Sequence, residues 1–153
     1  MKISAVQNHF SLLHRSSEKG GILDYCKEND ITFFAYMVLE QGALTGKYDE
    51  DHPFPEKTGR GVSYNPYLKI IASLNEVLDQ IGKKYNASIA QIATAWAISK
   101  GTIPIIGVTK VYQVEEAYNS TKVNLSSADI EMIESAAEKV GISTLREWEK
   151  EMI

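Results

Sequence analysis

Ile3 to Asn8 opens on alternating apolar and polar residues and runs into the polar string Gln7, Asn8, His9. This predicts a short strand whose carboxyl end is polar, the end where chemistry would sit. After Gly20 and Gly21, the residues Ile22, Leu23 and Cys26 share one helical face, and Asn29-Asp30 breaks the chain before the next apolar run. Ile31 to Leu39 is apolar on both alternating faces, as a covered parallel strand requires and a half-wet antiparallel one does not.

Glu40 to Pro66 has no sustained period and carries Gly42, Gly46, Pro53, Pro55, Gly59 and Gly61, so it reads as one long loop. Asn65-Pro66 then opens a helix with Ile70, Ile71, Leu74, Leu78 and Ile81 on one face. Ser88 and Gln91 form a capping box before Ile89, Ile92, Ala93 and Trp96, and Gly101 stops that helix. A strand over Ile103 to Val108 follows, then a short amphipathic helix on Val111, Val114 and Tyr118. Ser126 and Asp129 cap a helix on Ile130, Ile133, Ala137 and Val140 that ends at Gly141, and Thr144 with Glu147 caps a last one on Leu145, Trp148 and Met152. The order is that of repeated βα units in an α/β protein, with no linker or low-complexity segment dividing residues 1–153 into domains.

Composition narrows the function classes. The 153 residues are 44% hydrophobic and 24% charged with a formal charge of −4, which suits one soluble domain and argues against nucleic acid or an anionic membrane surface as partner. The longest apolar run is far shorter than the roughly 20 residues of a membrane helix. The single Cys26 has no internal disulfide partner and the amino terminus lacks a signal-peptide pattern, so a cytoplasmic location is expected. Cys26 lies on an apolar helix face and reads as a buried small hydrophobe.

Several motifs fail on spacing. Gly42-Ala-Leu-Thr-Gly46-Lys47-Tyr48 has its glycines one residue too close for a phosphate loop, and no Ser or Thr follows the lysine to hold magnesium. His9, His14 and His52 have neither helical spacing nor neighbouring cysteines, so no metal site is expected.

Four strings in a fixed order carry more. They are Ala-Val-Gln-Asn-His-Phe-Ser-Leu-Leu-His-Arg from Ala5, Ala-Tyr-Met-Val-Leu-Glu-Gln-Gly-Ala-Leu-Thr-Gly-Lys-Tyr from Ala35, Ala-Gln-Ile-Ala-Thr-Ala-Trp-Ala from Ala90, and Ile-Pro-Ile-Ile-Gly-Val-Thr-Lys-Val-Tyr-Gln-Val-Glu-Glu-Ala from Ile103. Together they resemble the carboxyl-terminal part of the aldo/keto reductases, NADPH-dependent (βα)8-barrel enzymes that reduce aldehydes and ketones. The resemblance implies a partial TIM-type barrel of about three βα units plus terminal helices, where a whole member has about 250 residues or more.

For function, the resemblance implies a cofactor side without its catalytic partners. The aspartate, tyrosine, lysine and histidine that transfer the proton in the family come from the first half of the barrel and have no counterpart here, so no catalytic residue is assigned. Gln7 matches the glutamine that holds the nicotinamide carboxamide, and Tyr36 the tyrosine that stacks on the ring. Met37, Leu39, Gln41, Gly42 and Lys47 match the segment that wraps the pyrophosphate, with Met37-Val38 standing where Ser-Pro is usual. Gly107, Thr109 and Lys110 match the turn that takes the adenosine 2′-phosphate, and Gln113 and Glu116 lie one helical turn on, near the adenine. Ile106 replaces a common proline and Ala117 an asparagine that would bond the adenine, so the expected NADP(H) affinity is weak.

A partial barrel leaves two open strand edges and an inner face, expected to be rich in Phe33, Ala35 and their neighbours. Either a second chain supplies the first half, or copies of this chain pair edge to edge, or the sequence is a fragment of a longer gene, and a carbonyl substrate is expected only in the completed form. The starting methionine just before the first strand favours an expressed short chain. The alternative is a non-catalytic cofactor-binding or assembly module, a truncated remnant of the same barrel.

Overall fold

The computed structural model describes residues 3–144. Three parallel strands in the order β1-β2-β3 form the sheet: β1 (Ala5–His9), β2 (Thr32–Tyr36) and β3 (Ile103–Pro104). Ala5 to His9 pair in step with Thr32 to Tyr36, and Phe34 and Ala35 pair with Ile103 and Pro104. The helices are α1 (Ser16–Lys19), α2 (Ile22–Glu28), α3 (Gly59–Tyr64), α4 (Leu68–Tyr85), α5 (Ile89–Ser99), α6 (Val111–Ser120) and α7 (Ser127–Val140). This is the α/β architecture expected, a run of βα units from a barrel. The expected helix on Leu145, Trp148 and Met152 lies outside the described residues.

The core forms between one face of the sheet and the helices. Phe10, Phe33, Ala35 and Trp96 are buried together, with Phe10 stacked on Trp96 at 5.2 Å and edge-on to Phe33 at 6.0 Å. Leu68, Ile71, Leu74, Leu78 and Ile81 of α4 face this core, as do Ile133, Ala137 and Val140 of α7. Cys26 is buried here as well. Ile70, expected on the buried face of α4, is 39% exposed.

Phe33 and Ala35 therefore point to the helices and not to the barrel interior. Because β2 is apolar on both alternating faces, its sequence carries no period that assigns a side. The inner face holds Gln7 beside Phe34, and His9 beside Tyr36. Nothing in the described chain covers it fully: Gln7 is exposed, and Phe34 and Tyr36 are half-buried. The expected apolar face of α6 is likewise turned outward, with Val111 78%, Val114 54% and Tyr118 63% exposed.

Two expected strands are shorter than their apolar runs. β2 ends at Tyr36 because Met37 adopts a left-handed backbone (φ 62°), which takes the chain out of the sheet. β3 contains Pro104, which has no N–H to donate, and pairing beyond it is limited to the Ile105 amide on the Ala35 carbonyl at 2.8 Å. The expected loop from Glu40 to Pro66 is also partly structured. It contains a kinked 3-10 segment (Glu40–Thr45) and α3, which is too short to display a helical period. Thr58 caps α3 by accepting from the Gly61 amide at 3.1 Å, and the Asn65 side chain pairs with both backbone groups of Phe54. Phe54 and Tyr64 are buried, and Tyr48 stacks on Phe54 at 3.7 Å. The capping boxes at Ser88/Gln91 and Ser126/Asp129 are present.

A quartet of charges closes the helical layer. Arg15 binds Glu18 at 2.6 Å and Glu134 at 2.7 Å, and Lys100 binds the same two carboxylates at 2.7 and 2.5 Å. The Trp96 indole N–H adds a bond to Glu134 at 3.0 Å, so α1, α5 and α7 meet at one carboxylate. Burial alone pushes the Glu134 carboxyl up, but bonds from Lys100 and Trp96 and the two positive charges outweigh it and hold the group below its ordinary 4.5. The Glu18 carboxyl is depressed by the same balance. A carboxylate with a depressed folded-state pKa contributes stability that is present above its ordinary value and lost as pH falls through the depressed one. Thermal melts should therefore be insensitive to pH from neutrality down to about 4.5 and fall steeply below it. Glu134→Gln should cost about 1–2 kcal/mol at neutral pH and make the acid loss smaller.

Candidate functional site

At the carboxyl ends of the strands, the segment after β2 and the turn after β3 separate to form a groove of about 870 Å³. Parallel α/β sheets place their ligand sites at this end of the strands. One wall is the segment from Met37 to Tyr48, the other runs from Ile105 to Ser120, and the first turns of α5 close the back.

Nine of the twelve residues singled out from the sequence line this groove. Met37, Leu39, Gln41, Gly42 and Lys47 stand on the first wall, and Gly107, Thr109, Gln113 and Glu116 on the second. Gln7 and Tyr36 lie outside it, on the adjoining open face of the sheet, where the Tyr36 ring is 5.5 Å from the His9 ring. Lys110 sits between two lining residues, Thr109 and Tyr112, with its ammonium 5.8 Å from the centre of the Tyr112 ring. Arg60, Tyr48, Ser88, Thr94 and Tyr112 also line the groove and were not singled out. Arg60 lies on α3, inside the stretch that shows no period, so only its charge could have marked it.

The turn into α6 is held by one side chain. The Gln113 carbonyl oxygen accepts from the Thr109 amide at 2.8 Å, the Lys110 amide at 3.0 Å and the Thr109 hydroxyl at 3.3 Å. Gln113 thus shapes the turn, and it occupies two of the backbone donors expected to face an anion. Behind it, the Gln91 amide reaches the Glu116 carbonyl at 3.4 Å and joins α5 to α6.

The opposite wall is strained. Met37, Glu40 and Gln41 have φ of 62°, 46° and 55°, and Gly42 has φ 110°. Each such non-glycine residue costs about 1–3 kcal/mol and persists only where its surroundings over-determine it. The bonds that do so include the Glu40 amide on the Met37 carbonyl and the Gly42 amide on the Leu39 carbonyl, both at 2.8 Å. The Asn75 side chain of α4 also donates to the Ala43 carbonyl at 3.0 Å. Glu40 is fully buried and takes bonds from His9 (2.8 Å), Ser11, Tyr64 (2.5 Å) and Thr144 (3.4 Å). No part of the sequence reading had singled it out.

Of the residues lining the groove, Lys47 and Arg60 are cationic and Glu116 is the single acid, with Lys110 beside the second wall, in a chain of net charge −4. A groove with two lining cations and a third beside it suits a ligand that carries phosphate. Among the described residues no group of three His, Cys, Asp or Glu side chains is placed to hold a metal ion, and no helix is long and apolar enough to cross a membrane. A shallower hollow of about 460 Å³, lined by Lys100, Glu131, Glu134 and Glu138 among others, belongs to the charge quartet and lies apart from this site.

The family model for the aldo/keto reductase family matches residues 1–138. An NADP(+) aldo-keto reductase of Schizosaccharomyces pombe is 31% identical, over 92% of this chain and 43% of its own length. The chloroplastic pyridoxal reductase of Arabidopsis thaliana is 33% identical, over 90% of this chain and 37% of its own length. The chain thus spans about two fifths of the curated relatives it matches. Among solved structures, the glycerol dehydrogenase of Gluconobacter oxydans superposes with a TM-score of 0.81 at 21% identity, covering 94% of this chain and 45% of that one. At that identity the likeness speaks for the fold alone.

The strained wall yields a direct test. A Cβ on Gly42 would fall 3.2 Å from the Tyr48 ring, at a φ that side chains rarely adopt. Gly42→Ala should destabilise the chain by about 1–3 kcal/mol in denaturant melts.

Proposed function

The chain belongs to the aldo/keto reductase family, and from that premise we propose that it is the cofactor-binding portion of an NADP(H)-dependent oxidoreductase acting on aldehydes or ketones. The observation that carries the reading is the groove itself, lined by Lys47 and Arg60 with Lys110 at the turn beside it, a set of cations suited to the phosphates of a dinucleotide. When bound, the cofactor supplies or accepts the hydride. The residues of this chain bind and orient it. Lys47 and Arg60 neutralise the pyrophosphate from the wall after β2, while Thr109 and Lys110 take the adenosine 2′-phosphate. Gln7 holds the nicotinamide carboxamide through its side-chain amide, and Tyr36 offers its ring as a flat apolar support on the same face. The buried Cys26, the only cysteine, fits the reducing cytoplasm in which such a reductase works.

Proton transfer to the carbonyl oxygen calls for an acid that the resemblance assigns to the other half of the barrel, so in this reading these residues act together with the rest of a barrel. The uncovered inner face and the exposed face of α6 support that reading. They also favour the alternative of a non-catalytic assembly module, in which the same surfaces are buried but the groove serves no turnover.

Calorimetric titration decides the cofactor reading. NADP+ should bind more tightly than NAD+, and Lys110→Ala should cost about 1–3 kcal/mol of that affinity, the value of a charge-assisted hydrogen bond. Equal affinity for the two cofactors, or an unaffected Lys110→Ala variant, would leave the turn as mere structure. The purified chain should show no NADPH-dependent carbonyl reduction alone, and light scattering at micromolar concentration should find it self-associated. A compact monomer would remove the reading in which a second copy covers the open face.

A further inference from the structure

The Glu40 carboxylate is withdrawn from solvent entirely, yet it has no part in the cofactor contacts described above. Its hydrogen-bond donors come from separate parts of the chain: His9 at the end of β1, Ser11 two residues on, Tyr64 at the end of α3, and Thr144 beyond α7. The residues on either side of it, Leu39 and Gln41, both line the groove. The segment from Met37 to Gly42 that carries it contains three non-glycine residues with positive φ. Such a segment relaxes unless something outside it fixes its shape. The His9 ring that meets Glu40 also stacks on Tyr36, so the carboxylate is linked through His9 to the open face beside the groove and through its own backbone to the groove wall.

We propose that Glu40 is a positioning residue. Its carboxylate holds the 37–42 segment in the shape that receives the dinucleotide, acting through His9, Ser11 and Tyr64 and without touching the cofactor. This rests on the reading of the groove as an NADP(H) site. An apolar residue of similar length would fill the same space, but it could not take directed bonds from four donors at once. The proposal is therefore about those bonds and not about filled volume.

Two variants test it, Glu40→Gln and Tyr64→Phe. The second removes one donor and remains informative if the first fails to fold. Hydrogen exchange should be accelerated about tenfold or more at the amides of Gly42 and Leu44, which donate to the Leu39 carbonyl, while α4 keeps native rates. NADP+ should bind about five- to tenfold more weakly, since less of the protein holds the competent shape. The adenosine 2′,5′-bisphosphate fragment, which needs only the far wall, should keep its native affinity. Native exchange at those amides, or an equal loss for NADP+ and the fragment, overturns the proposal alone. Failure of the native chain to bind either ligand overturns the groove reading and the proposal with it.

Discussion

Taking a carboxylate fully out of water costs several kcal/mol unless hydrogen-bond donors replace its lost hydration. Glu40 meets that condition with donors from four places in the chain, and much of the architecture follows from supplying them. β1 must end so that His9 and Ser11 reach the carboxylate. The short helix α3, which carries no long apolar stripe, must dock so that Tyr64 does the same. Docking α3 fixes the middle of the long β2-to-α4 connection and brings Arg60 to the groove. The left-handed residues at 37, 40 and 41 are thus tolerated because the side chain between them is anchored on several sides.

The remaining polar ties are of a different kind. The quartet of Arg15, Glu18, Lys100 and Glu134 is partly open to solvent, as is the Lys84–Asp129 pair that joins α4 to α7, so each pair is worth less than its count of charges suggests. Their effect is geometric: they fix where α7 lies relative to α1, α4 and α5, on the covered side of the sheet. The other side is not fully covered by the described residues. Its side chains, Gln7, Phe34 and Tyr36 among them, are those a barrel interior would enclose. The asymmetry between one closed face and one open face is the physical content of a partial barrel.

Features that depend on neighbours in sequence were legible. The α4, α5 and α7 helices, the capping boxes of the last two, the parallel sheet and the convergence of nine residues on one groove all follow from local period, capping chemistry or the quoted strings, whereas the expected start of α4 at Asn65-Pro66 is a separate 3-10 turn. What was not legible depends on distant partners. Glu40 lies 31, 29, 24 and 104 residues from its donors, and a lone acid between Leu39 and Gln41 carries no sign that it will be buried. The direction of Phe33 and Ala35 was misassigned because a strand apolar on both sides gives no alternation to decide it. The outward face of α6 was missed for a related reason: an amphipathic period shows that a face wants a partner, not that this chain contains one.

Gln113 changes how the second wall can hold an anion. A helix start usually offers free backbone N–H groups, but here the Thr109 and Lys110 amides already donate to the Gln113 side chain. A phosphate would either displace that side chain, freeing the turn it stabilises, or leave it in place and rely on the Thr109 hydroxyl and the Lys110 ammonium. The second course costs no rearrangement, and it shifts recognition from the backbone to side-chain charge. Side-chain charge at an exposed turn is screened by salt, whereas anchored backbone donors in a closed site are screened much less. In the proposed reading, anion recognition at this wall would thus rest on one lysine and one hydroxyl. Gln113 holds the backbone of Thr109 and Lys110 in place, so the shape of the turn is set before any ligand arrives.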